Sequence, residues 1–195
     1  MRSFRRGLGA AVLMVLVAAG AAGLLAARWT APVAEGDAAV AARDWPRAYA
    51  AYGRAADRFD RLPAVRQFFA RDYARAIAAQ LWIDYNGERY DDVIERAQRA
   101  PDAASPHFWA GLAYFAKGRS ETKSEAQLAL LGRAEEEMRR AVEADPLDLD
   151  TKYNYELVSR LAAGLRKAPK VPPNQLMQLL RQQPKTSAKP TRRVG

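Results

Sequence analysis

Cysteine is absent from the 195-residue chain. Without a thiol there is no disulfide framework, no thiolate metal site, no cysteine nucleophile and no lipid attached through sulfur. Histidine occurs once, at His107, which excludes multi-histidine metal sites and leaves a Ser-His-Asp arrangement one ring to use. Placed just inside an expected helix start and beside Phe108, it reads as a surface or boundary residue. No Gly-x-Gly-x-x-Gly and no Gly-Lys-Ser/Thr string occurs, so a phosphate cradle of the nucleotide-binding kind is missing. Glu135, Glu136 and Glu137 form a run spread around a helix rather than two converging carboxylates. Asp148 and Asp150 lack the ligand spacing and trailing glutamate of a calcium loop, and helix capping accounts for them. No catalytic residues, no metal site and no cofactor are expected.

Acidic residues are missing from both ends of the chain. Residues 1–28 hold four arginines and no acid, and residues 160–195 hold nine Lys or Arg and no acid. That leaves eighteen of the 31 basic residues against all 22 acids, so the net charge of +9 belongs to the ends and the body is mildly acidic. A nucleic-acid-binding domain with a basic face fits this distribution poorly, and no nucleic-acid partner is expected.

What the chain does hold, first, is a long apolar run. Residues 7–27 carry no charge and are almost wholly Ala, Val, Leu, Gly and Met, flanked by Arg2, Arg5 and Arg6 before and by Arg28 and Trp29 after. About 20 such residues cross a bilayer core of about 30 Å as a helix. Signal-peptide cores are shorter and end at small residues; Ala27 would serve at the cut, but Leu25 two places earlier is a poor fit. The run therefore reads as an uncleaved single-pass anchor. Three arginines before it against one after it predict an N-terminus in the cytoplasm and the bulk of the chain on the far side. Residues 1–29 are assigned to a cytoplasmic stub and transmembrane segment.

From Ala34 to Lys167 the pattern changes to amphipathic helices punctuated by Gly, Pro and Asp, which predicts an all-α domain. Pro63 suits a helix start, and Val65, Phe68, Phe69, Tyr73, Ala76, Ile77 and Leu81 keep three-four spacing until Asn86-Gly87. Tyr90, Val93, Ile94 and Ala97 make a short helix closed by Pro101. Ser105-Pro106 opens the next, as a cap followed by proline at the first helical position. In the segment Arg119 to Leu130, Ser124-x-x-Gln127 reads as a capping box behind a polar turn, lengthening the following helix. Asp145-Pro146 stops that helix, and the last long one runs from Asp148 to Lys167.

The spacing of small and large residues resembles the tetratricopeptide repeat, a helix-turn-helix unit that stacks into a solenoid. The stretch Ala134-x3-Met138, Ala141, Asp145-Pro146, Asp148 and Tyr153-Asn154 carries the likeness most densely. Gly111-x2-Tyr114 with Gly118, and Asp44-Trp45-Pro46-Arg47-Ala48 with Tyr52, match front and back halves of the motif. Two departures are an insertion of about eleven residues after Gly118 and Val93 where a small residue belongs. The resemblance implies about three helix hairpins plus a closing helix over residues 34–167, with Ala48, Tyr52, Gly111, Tyr114, Ala134, Met138 and Pro146 in repeat packing. The region around Asp145 to Leu157, followed by a Pro-rich basic stretch, is also similar to the membrane-anchored tetratricopeptide proteins of bacterial MoxR ATPase and von Willebrand A-domain gene clusters, the MxaK-like type. This implies a periplasmic scaffold at the inner membrane that binds other proteins, accessory to assembly or activation of an exported complex.

In the family pattern, the exposed positions of the first helices fall on Phe108, Leu112 and Phe115 and on Thr151 and Tyr155, a candidate protein-binding groove. The alternative for Phe108, Phe115 and Tyr155 is packing against one another. Residues 168–195 are Pro-rich and basic, with a short amphipathic helix expected over 174–182 and disorder beyond it. An alternative function places the work in this tail, through contact with anionic membrane or cell-wall polymer.

Overall fold

The computed structural model describes residues 2–167, with side chains from residue 13 on. The short helix expected over 174–182 and the basic tail lie outside the described residues. Eight α-helices follow one another: α1 (Arg2–Ala41), α2 (Trp45–Asp60), α3 (Pro63–Phe68), α4 (Ala70–Asn86), α5 (Tyr90–Ala97), α6 (Pro106–Ser120), α7 (Ser124–Ala144) and α8 (Leu149–Lys167), with a 3-10 turn at Asp102–Ala104. No strand occurs among the described residues. Helices adjacent in the chain pack on one another: α1 on α2, α4 on α5, α6 on α7 and α7 on α8, while α2 on α4 and α5 on α6 join the pairs.

The apolar run is the N-terminal part of α1, and this helix is long and apolar enough to cross a membrane. Leu13 to Leu25 are exposed throughout. The amphipathic pattern expected to begin afresh at Ala34 belongs to the same helix, which continues through Pro32 without a break. Proline has no N–H to offer the carbonyl four residues back and normally kinks or ends a helix. Here that carbonyl, on Arg28, accepts a hydrogen bond of 2.7 Å from Arg58 Nη1 of α2. The arginine carbon also lies 5.9 Å from the Trp29 ring centroid. A guanidinium from the neighbouring helix thus takes the place of the missing amide, and the apolar stretch and the first hairpin share one rod.

Beyond Pro32, α1 turns a buried stripe of Val33, Gly36 and Ala39 toward α2. Gly36 permits the contact: a Cβ there would lie 2.6 Å from Tyr52 Cε1, closer than any side chain tolerates. The Tyr52 hydroxyl donates to Asp37 Oδ1 at 2.8 Å, and Arg75 of α4 approaches Asp37 Oδ2 at 2.9 Å. Ala48, Ala51 and Ala55 are fully buried on the facing side of α2, so small residues set the close spacing of these helices.

The run expected from Pro63 to Asn86 breaks once, at Phe69, where φ −103° and ψ 36° depart from helix geometry. The break turns Phe69 onto Phe59, centroids 6.0 Å apart, and leaves Phe68 82% exposed. Asp84 ties the second hairpin together from a side chain with no exposure. It accepts from Arg89 Nη2 at 2.6 Å and from Arg96 Nε at 3.1 Å, while Arg96 also donates to Gln80 and to the Tyr49 hydroxyl of α2. A buried carboxylate needs such partners, because desolvation otherwise removes its charge or its stability.

The two caps expected from serine do not form. Ser105 adopts a left-handed conformation, φ 53°, and makes no side-chain cap bond to α6. Ser124 is the first residue of α7 rather than its cap; Glu121 instead accepts from the Thr122 and Lys123 amides, and Gln127 reaches back to the Gly118 carbonyl. The polar turn and the long second helix are nonetheless where the pattern places them.

Two substitutions test this packing by chemical denaturation of the reconstituted protein. Asp84→Ala strands two guanidinium groups and is expected to lower stability by about 3 kcal/mol. Gly36→Val should cost about 2 kcal/mol by overpacking against Tyr52. Gly20→Val, whose added Cβ would meet nothing within 4 Å, should leave stability unchanged.

Candidate interaction surface

Helices α6, α7 and α8 form the part of the stack where the candidate groove residues lie. Gly111 brings α6 onto α7, since a Cβ there would sit 2.9 Å from Met138 Cγ. Ala134 and Met138 are fully buried at this crossing and Val158 of α8 closes it. Phe108, Leu112, Tyr114, Phe115 and Tyr155 pack half-buried around these three. Four of the five groove candidates are therefore gathered in one place, as the walls of the seam between α6 and α8. Arg119 lies 5.8 Å above the Phe115 ring and shields part of its face. Thr151, the fifth, is 3% exposed, braces the start of α8 by donating its hydroxyl to Asp148 Oδ2 at 2.5 Å, and lines the cleft beside Phe108. Pro146 stays exposed in the α7–α8 turn, where it stops a helix and packs against nothing in the core.

At the open end of this seam lies a cleft of about 510 Å³. Phe108 and Trp109, edge to face with centroids 5.4 Å apart, line one side. Asp102 precedes α6, and Asp145, Asp148 and Asp150 come from the α7–α8 turn, so four carboxylates border the same space. No lysine or arginine lines it. The turn that collects these acids is built by the carboxylates themselves: Asp145 Oδ1 accepts from the Leu147 amide at 3.1 Å, and Asp148 Oδ1 from the Asp150 amide at 3.0 Å. The bond from Thr151, with these amide contacts behind it, holds the Asp148 carboxyl below the usual carboxylate range. His107 also lines the cleft, with Nδ1 2.7 Å from Glu137 Oε2 of α7.

Four carboxylates over two ring faces, in a space large enough for a side chain, suit an organic cation such as a lysine or arginine from another chain. Among the described residues no group of three or more His, Asp or Glu side chains is placed to hold a metal ion. Sequence reasoning located Phe108 and Thr151 but not the acids. Asp148 and Asp150 were legible as caps and Asp145 as part of a helix stop, and only the folded turn sets them beside Asp102, more than forty residues earlier. Comparison of the chain with protein-family models, with curated proteins and with solved structures returns no match.

The Asp148 cap carries a pH signature. Its depressed carboxyl stabilises the fold above the ordinary carboxylate value near 4, and the contribution fades as the pH falls through the lower folded value. Asp148→Ala is expected to cost about 1 kcal/mol at neutral pH, the usual worth of a helix-start cap. The gap between variant and wild type should close on acidification, as followed by denaturant titration across the acid range.

Proposed function

We propose that this protein is a membrane-anchored scaffold of tetratricopeptide-like helical hairpins that docks a protein partner through a basic, extended segment. The acidic cleft with its two-ring wall carries this reading. It offers charge and π-faces to a cationic side chain, and it lies at the end of an apolar seam able to accept the residues beside that cation. Stacked hairpins present such surfaces without moving parts, so the chain's contribution is shape and charge.

The arginines before the apolar run support an orientation with the stack on the outer side of a bacterial cytoplasmic membrane, in the periplasm. The stretch from Asp145 to Leu157 and the basic region after it support an accessory role in the assembly or activation of an exported complex, in a system of the MoxR and von Willebrand A-domain kind.

The test is cross-linking and recovery of partners from membranes that express the full chain. Wild type should retain a discrete protein partner, whose recovery falls on the order of tenfold with the paired substitutions Asp102→Lys and Asp150→Lys, in keeping with loss of a desolvated charge contact. Glu125→Lys, on the exposed first turn of α7, should leave recovery unchanged. Equal recovery with both variants would remove the cleft from the interaction.

A further inference from the structure

The turn between α2 and α4 lies beside the end of the exposed apolar part of α1. The C-terminal end of α2 returns to the level at which the exposed apolar part of α1 ends: Phe59 stacks on Trp29 at 6.3 Å, and Arg58 reaches the Arg28 carbonyl. From that level the chain leaves α2 through Arg61 and Leu62 into α3, a six-residue helix with no buried residue. Phe69 turns inward onto Phe59, but Phe68 and Leu62 are 82% and 47% exposed. Phe68 packs edge to face with Phe69, centroids 4.9 Å apart, and still leaves four-fifths of its surface bare.

Arginines stand beside Leu62. Arg54, Arg58 and Arg61 line a shallow cleft of about 360 Å³ together with Trp29, Leu62 and Asp57. Arg54 is engaged by Glu35 at 2.6 Å, and Asp60 by Arg66 at 3.0 Å. Arg28, Arg58 and Arg61 have no carboxylate partner among the described residues. Exposed apolar side chains at the depth of an interfacial tryptophan, rimmed by guanidinium groups, match the layered chemistry of a lipid surface. Rings and Leu enter the acyl boundary, and guanidinium groups meet phosphate oxygens.

We propose that the α2–α4 turn is a second membrane contact, in which Leu62 and Phe68 insert at the interface and Arg28, Arg58 and Arg61 hold anionic phospholipid headgroups. The occupant is the bilayer from which α1 emerges, because the surface is continuous with that helix. This rests on α1 crossing the membrane. Together the two contacts fix the tilt of the hairpin stack, which one helix alone leaves free to lean.

The absence of cysteine allows single labels. The full chain carrying Leu16→Cys, Arg47→Cys, Leu62→Cys or Phe68→Cys is labelled with an environment-sensitive dye and reconstituted in phosphatidylcholine vesicles with or without phosphatidylglycerol. Arg47 serves as the distant control, about 21 Å from Arg61 along α2. Lipids spin-labelled in the headgroup should quench labels at 62 and 68 at least about twofold more than the label at 47, and more strongly when phosphatidylglycerol is present. Arg61→Gln should lower the phosphatidylglycerol effect. If 62 and 68 are quenched no more than 47, while chain-labelled lipid quenches position 16, the anchor stands and the second contact is wrong. If position 16 is not quenched, the anchor fails and this contact with it. Equal quenching of 62 and 68 in both lipid mixtures would overturn the role of the arginines.

Discussion

One unmade hydrogen bond organises this molecule. Pro32 cannot donate to the Arg28 carbonyl, and a proline in a helix interior costs about 3 kcal/mol or more when nothing compensates. The Arg58 guanidinium supplies the missing donor, and a hydrogen bond with a charged partner returns about 1.5 kcal/mol in an open setting. The helix therefore passes from an exposed apolar stretch into a packed one without a joint, and its partner helix is fastened to it at the point where the two meet. Everything beyond inherits its orientation from that fastening.

From the first hairpin outward, the stack is held by alternating devices. Small residues let helices close: Gly36 under Tyr52, Gly111 against Met138, and the alanines of α2. Between them, polar ties fix register, with Asp84 collecting arginines from the α4–α5 turn and from α5, and Arg96 extending the tie to Tyr49 of α2. Neither device needs a large aromatic core. Rings also fill the core, where the fully buried Phe59 meets Trp29, Phe69 and Tyr73, while Phe108 and Trp109 border the acidic cleft.

Much of the helix succession was legible because its signals are local. Pro63, Asn86-Gly87, Pro101, Pro106 and Asp145-Pro146 act within a turn of where they stand, and the structure starts or stops helices beside each. The features that escaped depend on partners distant in the chain. The boundary expected at Ala34 vanishes only when Arg58, thirty residues beyond the Arg28 carbonyl it serves, is placed next to it. Ser105 and Ser124 have the residue type for caps but not the backbone angles or position, which the neighbouring turns decide. Of the groove candidates, Phe108 borders the cleft, Thr151 is sealed by Asp148, and Leu112, Phe115 and Tyr155 wall the seam. The acids that give the cleft its charge were read singly, since nothing local says that Asp102 and Asp150 share a space.

The continuity of α1 across Pro32 is best tested by pulsed electron paramagnetic resonance on the full chain in lipid nanodiscs, with spin labels at Leu16 and Ala38. Twenty-two residues of unbroken helix predict one narrow distance distribution near about 33 Å, which broadens when Arg58 is replaced by alanine. A broad or two-peaked distribution in the wild-type protein would contradict a single rod joining the apolar stretch to the hairpins.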